Sequence, residues 1–508
     1  MAPSDADITP AEPADRRRPA ACAADPDLDL PGALPPLSVP AEVEAETEGE
    51  AGLALPAEVA AAEAAAAVQT AMQPLRIALR GDLLDFSGEP AWGDVDSSTV
   101  RFRPDSWLLI EDGRIAGVLQ DGAEPGAGWT RIDHRGRLLM PGFIDTHVHA
   151  PQLDVIASYG TALLDWLETY TFPAEQRHRD PLVAAQGAAL FVDALLAAGT
   201  TSAVVYPTVH TASVDALFAA ALERGMRLIA GKVLMDRHAP EGLRDDPDPA
   251  VAERECLDLI ARWHGRERLA YAVTVRFAPT STPAQLAMAG ELCRADPSLY
   301  LQTHLAENRD EVRWVAELYP EARSYLDVYA RAGLMHARSV FAHGIWLDDA
   351  DRHALCCAGS QLSHCPSSNL FLGSGLFAWR AADAARVPVG IGSDVGGGTA
   401  LNTLRTLAEA YKVQALAGER LTAWKGLHAA TLGAATALHL AHEIGSFDVG
   451  CTADVCVWDW AVGPVAANRM ARATTLHERV FAWITLGDDR NLVEAWVAGE
   501  RRHVRAAG

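Results

Sequence analysis

The sequence predicts an α/β protein built on a (β/α)8 TIM-like barrel, with a small β-sandwich domain formed by both chain ends and a disordered N-terminal extension before it. Three observations support this prediction. Eight apolar, strand-like segments alternate with helix-like segments through the middle of the chain, strand-like segments also flank that region on both sides, and the first 74 residues lack the composition of a core.

The extension, residues 1–74, is rich in alanine, proline and acidic residues. It holds 11 of the chain's 29 prolines and 14 acidic residues against three basic ones, with no aromatic residue. Such a segment buries too little apolar surface to offset its chain entropy, so we expect disorder, with at most a short helix over 58–72. A docking or solubilising tail and a dispensable leader are both compatible with this composition, and the tolerance of termini to change favours the leader.

Residues 75–140 and 441–508 are predicted to form the small β domain together. In the first part, the apolar run 107–110 is followed by Asp112-Gly113 and by alternating apolar residues, the pattern of a hairpin with a tight turn. The segments 452–460 and 492–504 have the same strand chemistry, and a glycine-containing turn lies within the second. We expect the two chain ends to pair in one sheet.

Residues 141–440 are assigned to the barrel. The eight predicted strands are 138–145, 200–206, 227–234, 269–277, 299–304, 339–343, 360–364 and 387–393. Most are continuous apolar runs, as parallel strands buried on both faces require, and stretches such as 182–198 have the pattern of amphipathic helices. In such barrels the chemistry lies where strands end and loops begin, so polar residues at the carboxyl ends of these strands are candidates for a site.

Charge and cysteine content exclude several classes of protein. The formal net charge is −24, which disfavours binding to nucleic acids and to anionic membranes. Eight irregularly spaced cysteines fit neither a disulfide framework nor a paired C-x-x-C zinc site. No apolar run of transmembrane length exists, and Arg16 to Arg18 precede Pro19 and acidic residues rather than the apolar core of a secretory signal. We therefore expect a cytoplasmic protein.

Four polar residues at predicted strand ends suggest a metal site. His147 and His149 are two residues apart, so both imidazoles face the same side of the first strand. The fifth strand ends in His304, and the eighth is followed by Asp394. A pair of histidines alone is more often structural, but three histidines and an aspartate suit a Zn²⁺ ion that keeps one position open for water, with iron as an alternative.

Two further residues suggest hydrolysis at that site. Glu307 follows His304 by three residues, and His343 ends the sixth predicted strand. Glu307 can carry a proton and His343 can polarise a reacting group, while a metal ion makes water a nucleophile at neutral pH. The alternative for Glu307 is an ordinary solvated loop acid.

Local motifs add a family resemblance to this interpretation. The run PGFIDTHVH at 141–149 resembles the first-strand signature of the metal-dependent amidohydrolase superfamily. Gln152 and the runs LDWLETYTFPAE at 164–175, HLAENRDEV at 304–312 and HCPSSNL at 364–370 resemble the guanine deaminase family more narrowly. This resemblance covers the chain from about residue 75 to the C terminus, and residues 1–74 contain none of these motifs.

The resemblance implies a metal-dependent hydrolysis of guanine to xanthine and ammonia by a metal-activated water, an activity of purine catabolism and salvage, in a homodimer. It implies a metal site of one zinc ion held by His147, His149, His304 and Asp394, and a catalytic set of Glu307, His343 and Asp394. The substrate contacts that it implies are His149, Gln152, Trp166, Arg276, Phe277, His304 and Asp394. Binuclear relatives often use a carboxylated lysine, but the fourth predicted strand of this chain has Arg276 near its end, which favours one ion.

Arg276 is expected to select the base by donating to the C6 carbonyl oxygen of guanine, with Gln152 on the opposite edge of the ring and Trp166 or Phe277 against its plane. The alternative is that Arg276 only pairs with a carboxylate at the barrel rim. Two other functions remain open: deamination of another purine, a pyrimidine or a triazine, and a non-catalytic scaffold of the same superfamily. The scaffold is disfavoured because all four candidate ligands are present.

Overall fold

The computed structural model describes residues 75–160 and 163–506, so the predictions for residues 1–74 lie outside the described part of the chain. Sixteen strands are present in these residues. They are β1 (Arg76–Phe86), β2 (Val100–Glu111), β3 (Arg114–Leu119), β4 (Thr130–Pro141), β5 (Phe143–His149), β6 (Thr200–Tyr206), β7 (Arg227–Ala230), β8 (Val233–Leu234), β9 (Leu269–Val275), β10 (Tyr300–Leu305), β11 (Ser339–His343), β12 (Gln361–His364), β13 (Val389–Ile391), β14 (Val455–Trp458), β15 (Leu492–Val497) and β16 (Glu500–Val504).

Helices connect most of these strands. The α-helices are Leu163–Trp166, Phe172–Arg177, Pro181–Ala197, Thr211–Arg224, Pro249–Trp263, Pro283–Ala295, Arg309–Leu318, Tyr325–Arg331, Asp349–Ala358, Pro366–Phe371, Trp379–Ala384, Thr403–Leu416, Ala423–Ala429, Leu432–Ala437, Gly463–Met470 and Leu476–Leu486, and a π-helical turn spans Leu167–Thr171. Within the described ranges, no single helix is long and apolar enough to cross a bilayer, and only Leu163–Arg177 taken together with Pro181–Ala197, bent by 107°, meets that criterion.

The barrel predicted from the sequence is confirmed. Parallel strands follow the order β5, β6, β7, β9, β10, β11, β12, β13, and β8 adds a short pairing to β9. The first strand, β5, meets the residues that follow the last strand, β13, and this nearly closes the barrel. Two backbone hydrogen bonds make this contact, from Asp394 N to His147 O at 2.9 Å and from His149 N to Val395 O at 3.0 Å. The strands are almost wholly buried because helices cover the outside of the barrel and side chains fill its interior.

Two predicted strands differ from the observed ones. The segment 138–145 is divided, because residues up to Pro141 belong to β4 of the small sheet and the first barrel strand runs from Phe143 to His149. The segment 227–234 is interrupted between β7 and β8, where Gly231 lies against the backbone of Ala272 too closely for a side chain. A continuous apolar run cannot reveal either division, because it has no periodicity that marks where one strand ends and the next begins.

The small sheet takes strands from both chain ends, as predicted. Its order is β16, β15, β14, β4, β1, β2, β3, and inward-facing residues such as Leu79, Leu108 and Val455 form a core of its own. Both predicted hairpins are present, and the turn residues Asp112-Gly113 and Ala498-Gly499 all have positive φ, as two-residue turns between twisted strands require. Since β4 passes into β5 through a single residue, this sheet anchors the first barrel strand and its histidines.

Candidate active site

A cavity opens at the carboxyl ends of the barrel strands and holds nearly all of the predicted site residues. It encloses about 450 Å³ of atom-free space, counting its open mouth. The predicted residues that line it are His149, Gln152, Trp166, Arg276, Phe277, His304, Glu307, His343 and Asp394. The remaining one, His147, is buried beside them and contacts Asp394.

The four predicted metal ligands converge on one point. One nitrogen or oxygen from each of His147, His149, His304 and Asp394 lies within 4.8 Å of the others. Asp394 Oδ1 is 3.1 Å from His147 Nε2 and 3.4 Å from His149 Nε2, and His149 Nε2 is 3.2 Å from His304 Nε2. Strand spacing brings the first two histidines together, and barrel closure brings in the other two residues.

The chemistry of this donor set fits a metal ion. His304 Nδ1 lies 2.6 Å from the carbonyl oxygen of Arg276 and must donate to it, which leaves Nε2 with a free lone pair. The buried Nε2 of His147 makes no well-directed hydrogen bond among the described residues, although Asp394 Oδ1 is 3.1 Å away. Imidazole nitrogens and a carboxylate that converge on one point are the ligands that zinc and similar ions prefer.

The pKa shifts of these groups have the same physical origin. Burial lowers the pKa of His149 to about 4, and burial together with the neighbouring histidines lowers the pKa of His304 well below its ordinary value. Burial alone would raise the pKa of Asp394, but His147 and His149 outweigh it and keep that pKa well below the usual range. His149 and His304 are therefore neutral at neutral pH, and Asp394 is ionised.

A second candidate set overlaps the first and was not found from the sequence. The ligand atoms of His147, His343, Cys365 and Asp394 also lie within 4.8 Å of one another. Cys365 is fully buried at the end of β12, in the HCPSSN run, and its Sγ lies 3.5 Å from Ser363 O. The thiol thus lies beside the candidate metal ligands, although its spacing in the sequence indicates no metal ligand.

Glu307 and His343 face each other beside the metal-ligand cluster. His343 Nε2 lies 3.4 Å from Glu307 Oε2 and 3.7 Å from Asp394 Oδ2. The other nitrogen, Nδ1, is 2.8 Å from the Nδ2 of Asn369, and in this orientation the amide donates to it, which places the imidazole proton on Nε2. His343 can therefore donate a hydrogen bond at the point where the two carboxylates meet.

The Glu307 carboxyl is arranged to carry a proton. Ser374 Oγ donates to its Oε1 at 3.0 Å, which leaves Oε2 toward His343. Burial raises the pKa of Glu307 well above its ordinary value, and the negative charges of Asp394 and Glu311 raise it further. Glu311 also accepts the backbone N–H of Glu307 at 2.9 Å, within the capping box of the next helix, and so fixes the loop.

The backbone is strained where these residues leave their strands. His343 has a φ of 69°, Asp394 a φ of 51° and Ala306, next to Glu307, a φ of 46°. The left-handed conformation costs a residue other than glycine about 1–2 kcal/mol. Such outliers cluster at functional sites because they turn side chains out of the strand direction. Here they mark three of the strand ends that supply cavity residues.

Arg276 and Gln152 share one buried carboxylate, that of Glu175. Arg276 Nη1 lies 2.8 and 2.6 Å from the two oxygens of Glu175, and Gln152 Nε2 is 3.0 Å from Oε1. The two side chains are therefore neighbours on one wall, whereas the sequence analysis expected Gln152 on the opposite edge of the ring. Arg276 makes the expected alternative contact, an ion pair, and lines the cavity as well.

Trp166 and Phe277 form apolar parts of the same cavity. Both are buried, and Trp166 Nε1 donates to Ser158 O at 3.2 Å, so its indole is held by its polar edge. Leu163 and Leu372 pack against Trp166 and extend the apolar wall. The cavity thus combines an apolar lining with a few polar groups, as small-molecule sites usually do.

Three supporting residues were not predicted from the sequence: Glu175, Asn369 and Ser374. Glu175 lies in the run 164–175 and Asn369 in the run 364–370, both of which resemble the guanine deaminase family. Membership in these runs is therefore a sequence feature that could identify both residues as candidates for the site. Ser374 lies outside those runs, and no local pattern connects it with Glu307, which precedes it by 67 residues. Its role depends on tertiary contact alone.

Comparisons with known proteins agree with this geometry. A profile of the amidohydrolase family matches residues 138–502. The guanine deaminase of Escherichia coli (strain K12) is 43% identical over 425 residues, which are 83% of this chain and 96% of that protein. The solved E. coli guanine deaminase structure superposes with a TM-score of 0.81 at 41% identity, covering 85% of this chain and 99% of that one.

A guanine deaminase from C. acetobutylicum, solved with guanine bound in its active site, superposes with a TM-score of 0.76 at 26% identity. That match covers 84% of this chain and 99% of the other. Relatives with this fold thus include a protein that holds guanine in its active site.

Proposed function

The chain belongs to the guanine deaminases of the amidohydrolase family, and from that membership we propose how its own residues convert guanine and water to xanthine and ammonia. One observation carries the proposal: the candidate metal ligands, the proton-transfer pair Glu307 and His343, and the donors of Arg276 and Gln152 surround a single cavity. A flat base can reach all three groups at once.

We propose that His147, His149, His304 and Asp394 hold one zinc ion, with iron as the alternative. When bound, such an ion acts as a Lewis acid that makes a water molecule nucleophilic at neutral pH. Three imidazoles and one carboxylate are a donor set suited to zinc, and their geometry supports one ion because all four donor atoms are mutually close. A second ion bridged by a carboxylated lysine is disfavoured, because the whole chain has only three lysines, Lys232, Lys412 and Lys425. Of these, Lys232 pairs with Asp245.

Binding and orientation of the base are assigned to the wall formed by Arg276 and Gln152. Arg276 and Gln152 donate hydrogen bonds to acceptors on the ring edge, and Trp166 and Phe277 cover the ring and exclude water. Held in this way, the base presents C2 and its exocyclic amine toward Glu307 and Asp394. Orientation of this kind converts a bimolecular reaction into one within a complex.

Proton transfer is assigned to Glu307, Asp394 and His343. As water adds to C2, Asp394 accepts one of its protons and Glu307 delivers a proton to the adjacent ring nitrogen. The second proton of the added water then moves through Glu307 to the exocyclic amine, which leaves as ammonia while the C2 carbonyl forms. The proton held by Asp394 finally returns Glu307 to its protonated form. The Nε2–H of His343 donates toward the oxygen on which charge develops.

The test is ammonia release from guanine by the purified protein, with adenine, cytosine and 8-oxoguanine measured in parallel. Preferred turnover of guanine supports the proposal, whereas turnover of another base without turnover of guanine contradicts it. Metal analysis of protein prepared without chelator should give one equivalent of zinc per chain. A metal content far below one equivalent in active protein would contradict the assigned metal site.

We propose three further properties of the protein. Its domains are a barrel of residues 141–440 and a small β domain of 75–140 with 441–508. One hydrophobic cluster lies within the small sheet and another lies almost wholly within the barrel, while the largest cluster contains residues of both. It works as a homodimer in the cytoplasm, and the seven cysteines of the described residues, all unbridged thiols, support a reducing compartment. Light scattering coupled to gel filtration tests the dimer, and fractionation of cells tests the location.

A further inference from the structure

Glu175 is a fully buried carboxylate that contacts no predicted metal ligand. It lies on the helix Phe172–Arg177, which follows the first barrel strand, and its exposure is 0%. Its two oxygens accept hydrogen bonds from Arg276 Nη1, at 2.8 and 2.6 Å, and from Gln152 Nε2, at 3.0 Å. A carboxylate this deeply buried requires such donors, because an unpaired one is strongly destabilising.

Arg276 is bound by Glu175 through one end of its guanidinium only. Both contacts use Nη1, and within the part of the chain that the structure describes, its Nε and Nη2 make no hydrogen bond. The ring of Phe172, one helical turn before Glu175, lies 5.3 Å from the guanidinium carbon and restrains its face. The helix thus fixes the guanidinium on two sides and leaves unsatisfied donors in a residue that lines the cavity.

Gln152 is fixed in one amide orientation by its two partners. Its Oε1 accepts the backbone N–H of Gly396 at 3.2 Å, and its Nε2 donates to Glu175. A flipped amide would place an oxygen against the carboxylate and an N–H against another N–H, so the partners exclude it. The one amide hydrogen that remains is a further donor beside Arg276.

We propose that Glu175 is a positioning residue that makes this wall of the cavity present hydrogen-bond donors only, and that this selects purines with adjacent acceptors at O6 and N7. The inference rests on the proposed function and concerns how guanine is chosen. Guanine has acceptors at both positions, whereas adenine replaces O6 with an amine that would face the same donors. Without the carboxylate, Gln152 could rotate and present its oxygen, and Arg276 could leave its place.

The test compares guanine with 2-aminopurine, which has the same amine at C2 but no oxygen at C6. In Glu175→Gln we expect kcat/KM for guanine to fall about 100-fold and kcat/KM for 2-aminopurine to fall less than tenfold, because one bidentate arginine contact discriminates by about 10- to 100-fold. The loss should lie mainly in KM, since O6 is remote from the bond that breaks. Glu175→Asp, which keeps the charge, should recover part of the preference.

The matched control is Glu168→Gln, an exposed glutamate of the same segment, for which both substrates should behave as in the parent protein. A guanine to 2-aminopurine ratio that is unchanged in Glu175→Gln would overturn the inference while leaving guanine deamination intact. Absence of guanine turnover in the parent protein would instead overturn the proposed function. Equal losses for both substrates, confined to kcat, would also contradict a role in base selection.

A double variant covers the case in which Glu175→Gln leaves Arg276 as an uncompensated buried charge and the protein does not fold. Glu175→Gln with Arg276→Gln replaces the ion pair by two neutral amides of similar size, which is better tolerated than breaking the pair. If Glu175 acts through Arg276, this protein should match Arg276→Gln in its substrate ratio within about threefold. A further large and additive loss would contradict a positioning role.

Discussion

Replacing Glu307 by Gln removes the proton that this side chain carries while keeping its size. In the structure, Ser374 Oγ donates to Oε1, and Oε2 lies 3.4 Å from His343 Nε2, so an amide can take the same place. Loss of a positioned general acid and base lowers a rate by about 10²–10⁴-fold. At about 1.4 kcal/mol for each factor of ten, this corresponds to about 3–5 kcal/mol of transition-state stabilisation.

The loss should appear in kcat for guanine, measured as ammonia release, with KM changed little because Glu307 does not belong to the wall assigned to base recognition. Metal content should stay at the parent level, since Glu307 belongs to neither ligand set. Ser374→Ala is the matched control: it removes one hydrogen bond to the same carboxyl but not the carboxyl itself, so we expect a loss of only about tenfold.

Two results would refute this reasoning. If Glu307→Gln kept near-parental kcat, the proton would travel by another route. If it lost its metal, Glu307 would be a ligand rather than a proton carrier.

Three further outcomes are expected. Asp394→Asn should lower kcat/KM by at least about 10²-fold because it removes an anionic ligand and a proton acceptor, and near-normal turnover with metal bound would contradict the assignment. Arg276→Ala should sharply lower kcat/KM for guanine while the metal is retained. Arg276→Lys should restore kcat/KM only in part, because the ammonium group of lysine cannot reproduce the planar, forked donors of a guanidinium. Unchanged guanine turnover in the alanine variant would mean that other residues recognise the base. Trp458→Ala should lower the free energy of unfolding, measured in urea, by about 3–5 kcal/mol, because this buried ring packs against Phe143 at the junction of the two sheets. The control Leu416→Ala, at an exposed position, should change the free energy of unfolding by less than about 0.5 kcal/mol. Equal effects of the two substitutions would refute the packing argument.

Local pattern was sufficient to predict the barrel and most of its strands. Apolar runs of four to eight residues, separated by helical periodicity, indicate parallel strands wherever they occur along a chain. The hairpin at Asp112-Gly113 is equally local, because two residues with positive φ determine the turn. Apolar pattern did not predict the junction of β4 and β5. One apolar run there contributes to both sheets, and no residue type marks the point at which the chain passes from one sheet to the other.

The metal-ligand cluster was predictable for the same kind of reason. His147 and His149 share a face through strand geometry alone, and His304 and Asp394 lie at strand ends that any closed parallel barrel brings to one rim. Fold class and residue type together therefore predict the cluster without any knowledge of distances.

What the sequence by itself determined is the set of elements, the barrel topology and the residues that meet at its mouth, because periodicity and strand-end position are local properties of the chain. Only the tertiary structure decided which side chains pair there: Glu175 with both Arg276 and Gln152, and Ser374 with Glu307. These partners are up to about a hundred residues apart, and their contacts depend on loop conformation and ångström-scale packing after the barrel has closed. No spacing rule along the chain contains that information.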